Sequence, residues 1–378
     1  MHKSLQTASA SSEGHPAAKR AQQHARWRLP VWLSWFLGRL AYGLLTVWVI
    51  SLIVFVATLV LPSDPARIIL GPDAPLESVQ TLQHQLGLDQ PKLVQYVHWL
   101  AGFIQGNWGV SLDSQLAVTE VLWPRFANTL ALLAGVVAFV LPLALVLGVA
   151  LALKRDSRFD QAVLSALILF KAVPGFLLGI GLVLLFSMPG VNLFPAVAIL
   201  DPELSIFAQW QYLVLPVLTL GLAALPYLTR LVRSSMIEAL DSDYVGAARL
   251  RGIPERRIVW LHTLPNALVP AVQGLALTLR TLVGGALLAE VIFSYPGMGV
   301  TLHAAIQMRD LPLIQAIVLL TTVSVVGINL LADLLTVLLT PKLRTAPRKV
   351  MIQRNTRGIQ PGGVADWRGL PDGSANSA

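Results

Sequence analysis

Apolar residues along the chain gather into six long runs separated by more polar stretches. Each run reaches the roughly 20 residues that a helix needs to cross a bilayer. Four prolines fall inside or near the ends of the runs and predict kinks, since neighbouring helices can satisfy the backbone groups that a proline frees. The pattern predicts an all-α membrane protein with spans at about Leu40–Leu61, Thr129–Leu153, Val163–Phe186, Tyr212–Leu231, Ala267–Phe293 and Leu313–Leu339.

Composition and charge support this prediction and add an orientation. The chain is 55% hydrophobic and 13% charged, whereas a soluble domain carries about a quarter charged residues. Most of the 28 lysines and arginines precede the first run, follow the sixth, or lie between runs two and three and between runs four and five. The positive-inside rule then places both termini in the cytoplasm. The net charge of +8 reflects topology, so we expect no nucleic-acid partner.

The regions outside the spans have different characters. Residues 1–38 and 346–378 are polar and predict disordered cytoplasmic tails. Residues 62–125 form a long periplasmic loop in which Leu93, Val97, Leu100 and Ile104 recur at helical spacing. The spacing predicts a short helix on the outer face of the bundle, and a docking surface for an external partner is the alternative.

Four charged residues fall inside the predicted spans: Lys171, Arg280, Glu290 and Asp333. An isolated charge at mid-bilayer costs at least about 2.5–3.5 kcal/mol, so each needs a partner or water. One explanation is that Glu290, Arg280 and Lys171 line a translocation path. The other is that the charges pair across helices or reach the membrane surface.

Motifs for enzyme chemistry are missing from the sequence. No GxxxxGK[ST] phosphate loop, HExxH, GxSxG or paired-carboxylate motif occurs, and the chain has no cysteine. The seven histidines show no metal-ligand spacing. We therefore predict no catalytic residue, no metal site, no cofactor and no enzyme activity.

Residues 234–266, here called the coupling loop, form a charged cytoplasmic stretch between two apolar runs. Asp241–Asp243 are N-cap residue types, and their charge suits a helix N-terminus. A helix Tyr244–Arg251 would follow, with Tyr244, Val245 and Ala248 forming an apolar face. Gly252 stands where a glycine ends a helix in the left-handed conformation.

The second half of the loop predicts another short helix. Pro254 would begin it at the first helical position, and it would run through Ile258 and Leu261 until Pro265 stops it. A helix–glycine–helix element with an apolar face suits insertion into a groove of a partner protein. A merely solvated charged loop is the alternative, but it explains neither the glycine nor the apolar face.

An ordered series of segments resembles one family. Besides DYVGAARLRG and HTLPNALVP in and just after the coupling loop, the series includes SDPA (Ser63–Ala66), LGLDQPKLVQYVHWL (Leu86–Leu100), EVIFSYPGMG (Glu290–Gly299) and NLLAD (Asn329–Asp333). These segments resemble the inner-membrane permease subunits of ABC importers, in the dipeptide/oligopeptide/nickel group. The loop resembles the EAA motif of that superfamily.

The resemblance implies a fold, a site and partners. Residues 39–345 would form a type I ABC importer transmembrane domain in the bacterial inner membrane. The coupling loop would contact one or two cytoplasmic ATPase subunits, and a second homologous permease, a periplasmic substrate-binding protein and membrane lipid would be the other partners. The positions matching the motif are Asp243, Tyr244, Ala247, Ala248, Arg249, Gly252, His262, Leu264 and Asn266.

The substrate stays open at this stage. Di- and oligopeptides are the default cargo of the group, with nickel, glutathione or another small solute as alternatives. Two other classes would also fit six spans: a secondary transporter or channel, which needs no ATPase docking element, and a membrane scaffold.

Overall fold

The computed structural model describes residues 31–60, 65–71, 73–85, 87–201 and 203–339. Within these ranges the chain is helices and loops, with one isolated bridge between Val110 and Ala117 as the only strand-like pairing. The predicted tails lie largely outside the described residues, although the first helix already begins at Val31. The helices are α1 Val31–Val60, α2 Pro65–Leu70, α3 Leu76–Gln85, α4 Lys92–Ile104, α5 Val118–Leu153, α6 Arg158–Ala172, α7 Gly175–Phe186, α8 Gln211–Leu240, α9 Asp243–Leu250, α10 Glu255–Arg257, α11 Leu264–Ile292, α12 Met298–Met308 and α13 Leu311–Leu339.

Five of the six predicted spans are single helices that are long and apolar enough to cross a membrane: α1, α5, α8, α11 and α13. The third predicted span, Val163–Phe186, is bent at Pro174, one of the four prolines at which kinks are predicted. It consists of α6 and α7, which meet at an angle of 105°. Pro174 directly precedes α7, and Val173 before it is extended, as expected for a residue followed by proline. The pair forms a sixth span only if the two bent helices are counted together.

The core of the described helices lies around α8. Helices α5 and α11 pack along it, and the prolines Pro216 and Pro226 sit inside α8 without breaking it. Apolar side chains at helical spacing supply the contact from all three helices. Fully or almost fully buried members of this cluster are Leu132, Val136, Val140, Leu215, Leu228, Ala286 and Ala289.

Helix α1 is the least buried of the candidate spans and is joined to α13 by polar contacts. Arg39 Nε lies 3.4 Å from Asp333 Oδ2. Gln315 Nε2 donates a hydrogen bond to Thr58 Oγ1 at 2.7 Å, and both residues are buried. The intramembrane Asp333 is therefore paired across helices, as one of the two explanations for the charged residues requires.

The predicted helix in the 62–125 loop is confirmed as α4, which packs through its aromatic side. Tyr96 stands edge-on to Phe55 of α1 with ring centroids 5.3 Å apart, and its hydroxyl lies 2.8 Å from Ser51 Oγ. Trp99 and Phe103 continue the same aromatic contact toward Trp108. These contacts attach α4 to the first span.

Part of the predicted apolar stripe of α4 lies on its other side. Leu93 and Ile104 are 76% and 77% exposed, and Val97 is also exposed. These three side chains do not pack against the rest of the described chain, whereas Leu100 of the same stripe is partly buried. Both the bundle-surface interpretation and the docking interpretation stay predictions.

Asp310 joins the 62–125 loop to the start of α13. Its Oδ1 accepts a hydrogen bond from the Leu313 N–H at 3.3 Å, as an N-cap aspartate does. Its Oδ2 accepts a short hydrogen bond from Ser111 Oγ. Both Asp310 and Ser111 are buried, so the two donors depend on this one carboxylate.

We predict that Asp310→Ala lowers the stability of the purified protein by about 1–3 kcal/mol, because it leaves Ser111 Oγ and the Leu313 N–H without their acceptor. Thermal unfolding in detergent measures the effect, and limited proteolysis between residues 105 and 117 should be faster. Asp113→Ala is the matched control, since this neighbouring carboxylate is exposed. Equal melting temperatures for the two variants would contradict the prediction.

Candidate functional site

The first half of the coupling loop folds as the sequence predicts. Helix α9 runs from Asp243 to Leu250, and Gly252 has a φ of +71°. The Gly252 N–H bonds to Arg249 O at 2.9 Å, and the Ile253 N–H bonds to Ala248 O at 3.2 Å. This is the pair of hydrogen bonds of a Schellman motif. The predicted glycine C-cap is confirmed.

The N-terminal cap differs from the prediction. Ser242 holds the N-cap position with extended backbone angles, but its side chain accepts no capping hydrogen bond. Instead Ser242 Oγ donates to Ala239 O of α8 at 2.5 Å. Asp243 in the first turn supplies negative charge at the positive end of the helix dipole.

The second half of the loop corrects the prediction that Pro265 stops a helix. The short helix α10 continues into a π-helical segment Ile258–Thr263, which leads directly into α11. Pro265 is the second residue of α11, which follows this π-helical segment directly. The wider π turn allows the chain to pass the proline without a break, so the loop and the fifth span form one helix from Glu255 to Ile292.

Several residues of the predicted motif come together. Asn266 Nδ2 donates to Tyr244 Oη at 3.0 Å and to His262 O at 3.0 Å. These contacts join the start of α9 to the start of α11. Residues that lie 22 positions apart in the sequence are therefore neighbours, and Leu264 beside them is partly buried.

A second contact joins Arg249 of α9 to Glu255 of α10 across the turn at Arg251–Gly252, here called the Gly252 turn. The Nε and Nη2 atoms of Arg249 donate to Glu255 Oε1 at 2.6 Å and Oε2 at 3.4 Å. The hydrogen bond to Glu255 raises the pKa of the Arg249 guanidinium above its usual value. Arg155 of the α5–α6 turn similarly donates to Asp241 Oδ2 at 2.7 Å, which attaches the loop to the end of α5.

The burial pattern of α9 differs from the predicted apolar face. Val245 is fully buried within this chain, whereas Tyr244 is 45% exposed. Val245 therefore holds the loop to its own protein and is not part of a protruding face. Leu250, which sequence reasoning did not select, is 92% exposed. Its position five residues after Val245, on the opposite side of a helix with 3.6 residues per turn, is the signal that would have indicated it.

Glu290 lies at the far end of α11 and is fully buried. Thr129 Oγ1 of α5 donates to its Oε1 at 2.6 Å, and the Gly299 N–H donates to its Oε2 at 2.5 Å. The Met298 N–H in turn donates to Thr129 Oγ1 at 3.0 Å. The segment from Glu290 to Gly299 is here called the Glu290 turn. Hydrogen bonds of the Glu290 carboxylate and of the Met298 N–H with Thr129 connect this turn to α5.

The other two predicted path residues are not joined to Glu290. Arg280 is exposed on α11, and Lys171 is exposed in the last turn of α6. No contact links any two of the three in the described part of the chain. A role for them in translocation stays a prediction.

These features define a class of protein. Five long apolar helices and one bent pair form a polytopic membrane protein. Its coupling loop is joined to α11 and to the end of α5 by hydrogen bonds and exposes one face of a short helix.

Comparisons with known proteins identify the family. The model of binding-protein-dependent transport system inner membrane components matches residues 144–345, more than half of the chain. The N-terminal model for membrane components of such systems matches residues 32–133. Glutathione transport system permease proteins GsiC of Salmonella choleraesuis and Escherichia coli K12 are 34% and 33% identical over 312 residues. These matches cover 82% of this chain and 99% of each relative.

The chain belongs to the family of inner-membrane components of binding-protein-dependent transport systems. It is a permease subunit of a bacterial ABC importer and is not an enzyme. Such subunits work with ATPase subunits and a substrate-binding protein. A chain of the inward-facing methionine ABC transporter MetNI also resembles it, with a TM-score of 0.44 and 18% identity over 59% of this chain and 96% of that one.

Proposed function

We propose that this permease serves the import of short peptides, glutathione among them, and that its coupling loop receives the motion of the ATPase. Glutathione is a tripeptide, and the relatives at 33–34% identity are glutathione permeases by name. A second homologous permease completes the path, and a periplasmic binding protein delivers the solute. Both termini and the coupling loop face the cytoplasm.

The observation that carries the proposal is the two-sided packing of α9. Its inner side is fixed by the buried Val245 and by the contact of Tyr244 with Asn266. Its outer side presents Ala247 and Leu250 to solvent, and both are exposed. An exposed leucine on a short, rigidly held helix suits a hydrophobic groove on a partner.

We predict that Leu250→Asp reduces uptake of labelled glutathione or dialanine at least about tenfold, because a charged side chain replaces the apolar anchor of the interface. Co-purification of the ATPase subunits should fall in parallel. The amount and melting temperature of the permease should stay unchanged, since Leu250 contacts little within the chain. Uptake is measured in cells that contain the complete importer.

Leu204→Asp is the matched control, because this leucine is also exposed but lies between α7 and α8. It should leave uptake unchanged. Full uptake by the Leu250 variant would contradict the docking proposal. Uptake of neither probe by the unmodified importer would contradict the peptide cargo.

A further inference from the structure

The surfaces that the candidate spans expose are of two kinds. Along α5 between Leu130 and Val146, and along the described side chains of α13, the exposed positions recur at helical spacing and are entirely apolar. Those of α5 are Leu130, Ala134, Ala138, Pro142 and Val146, and those of α13 are Val323, Gly327, Leu331, Leu334 and Leu335. Such stripes match the hydrocarbon interior of a bilayer.

Helix α11 exposes a stripe of a different composition. Between Gln273 and Leu288 the exposed positions again follow one helical face. They are Gln273, Leu277, Arg280, Thr281, Gly284 and Leu288. An amide, a guanidinium and a hydroxyl on one face of a spanning helix are costly against lipid and are normally turned toward protein or water.

Helix α8 exposes a matching stripe beside the one on α11. From Ala223 to the end of the helix, its exposed positions are Ala223, Tyr227, Arg230, Ser234 and Glu238. A Cβ built on Gly274 of α11 would come within 3.5 Å of the Tyr227 ring, so the two helices approach closely there. Ala223 of α8 and Thr281 of α11 also line one cavity of about 280 Å³. The two stripes thus form one continuous polar face.

The charges on this face are not neutralised within the chain. Three buried or partly buried acidic residues of the candidate spans are each engaged: Asp333 with Arg39, Glu290 with Thr129 and Gly299, and Asp160 with Arg233 at 2.5 Å. Arg280 and Arg230 have no such partner among the described residues. Between Ala223 and Ser234 on α8 and between Gln273 and Leu288 on α11, the face carries two guanidinium groups and no carboxylate; Glu238 follows at the end of α8.

We propose that the polar face of α8 and α11 lines the solute path of the importer and that Arg280, with Arg230 nearer the coupling loop, favours solutes that carry carboxylate groups. This inference rests on the proposed function, since it names the residues and the chemistry of that path. Guanidinium groups bind carboxylates through two parallel hydrogen bonds. A cationic wall of low dielectric also raises the local concentration of anions. Peptides and glutathione both carry carboxylates.

The absence of cysteine from the whole sequence allows a direct test. Thr281→Cys and Leu277→Cys place single thiols on the polar face, and Val146→Cys places one on the apolar face of α5, where Val146 is 65% exposed. Membranes with the assembled importer and no ATP are treated with two water-soluble methanethiosulfonates, one bearing a sulfonate and one a trimethylammonium group. Each labelling rate is divided by the rate of the same reagent with a free thiol.

We expect both reagents to label the α11 thiols and to leave the Val146→Cys thiol unlabelled. The sulfonate reagent should be favoured over the ammonium reagent at Thr281→Cys, and adding Arg280→Gln should reduce that preference at least about fivefold. Adding Lys92→Gln, which removes an exposed cation on α4, should not change it.

Two results would overturn the inference. If the α11 thiols are as unreactive as Val146→Cys, the face is buried against another subunit or lipid. If the sulfonate reagent keeps its preference after Arg280→Gln, the arginine does not set the charge selectivity. Neither result depends on ATPase coupling, which is judged separately by uptake in the Leu250→Asp variant.

Discussion

Gly252→Val is expected to reduce solute uptake at least about tenfold while the same amount of permease remains in the membrane. The φ of +71° at this position is the cause. A Cβ there would meet no atom within 4 Å, so the effect does not come from a clash. It comes from the backbone, because the left-handed conformation costs a residue with a Cβ about 1–2 kcal/mol and a β-branched residue more.

Relief of this strain would unwind the end of α9. The hydrogen bonds from Gly252 to Arg249 and from Ile253 to Ala248 would then be lost, and the exposed Leu250 would no longer be held in place. Uptake and ATPase co-purification measure the effect, and membrane extraction measures insertion. Gly252→Asn is the control, since asparagine tolerates the left-handed conformation, and it should retain most of the activity. Normal uptake by the valine variant would exclude a requirement for the Gly252 turn.

Gly299→Ala is expected to have the second large effect, a loss of about 2–3 kcal/mol in stability with a lower yield of folded protein. A Cβ on Gly299 would collide with the backbone of Leu287 in α11. Backbone atoms cannot rotate aside as a side chain can, so α12 would have to move away from α11. That movement would also stretch the hydrogen bond from the Gly299 N–H to Glu290.

Thermal unfolding of the purified permease in detergent measures this change. Gly181→Ala in α7 is the matched control, because a Cβ there meets no atom within 4 Å. The control should change the melting temperature little. If both variants unfold at the same temperature, the close approach of Gly299 to Leu287 does not contribute to stability.

Local chemistry explains which parts of the coupling loop could be predicted. The coupling loop contains a helix of about eight residues, a glycine with positive φ and a following proline. The conformation at each of them is determined by residues within a few positions along the chain. Gly252 and the bounds of α9 were therefore predicted almost to the residue. The pairing of Tyr244 with Asn266 could not be predicted this way, because it depends on how α9 folds back onto the start of α11.

The wrong predictions share a cause, since they rest on local sequence rules. Pro265 was expected to stop a helix, yet it lies inside the continuous helix from Glu255 to Ile292, just after the π-helical segment Ile258–Thr263. Pro174 was expected to produce a kink and accompanies a 105° bend, so the same residue type has different outcomes at the two positions. Val245 was expected on the exposed face and is buried, and its helix packs against the π-helical segment Ile258–Thr263, a contact that residues within α9 do not reveal.

The uninterrupted passage through Pro265 has a mechanical consequence. The helix from Glu255 to Ile292 contains 38 residues, which corresponds to a rod about 55 Å long. The Gly252 turn adjoins one end of this rod and the Glu290 turn adjoins the other, with no loop between them to absorb a displacement. A tilt of α9 that is transmitted to the start of this helix would therefore displace its other end. The hydrogen bonds that Thr129 and Gly299 donate to Glu290 would oppose that displacement.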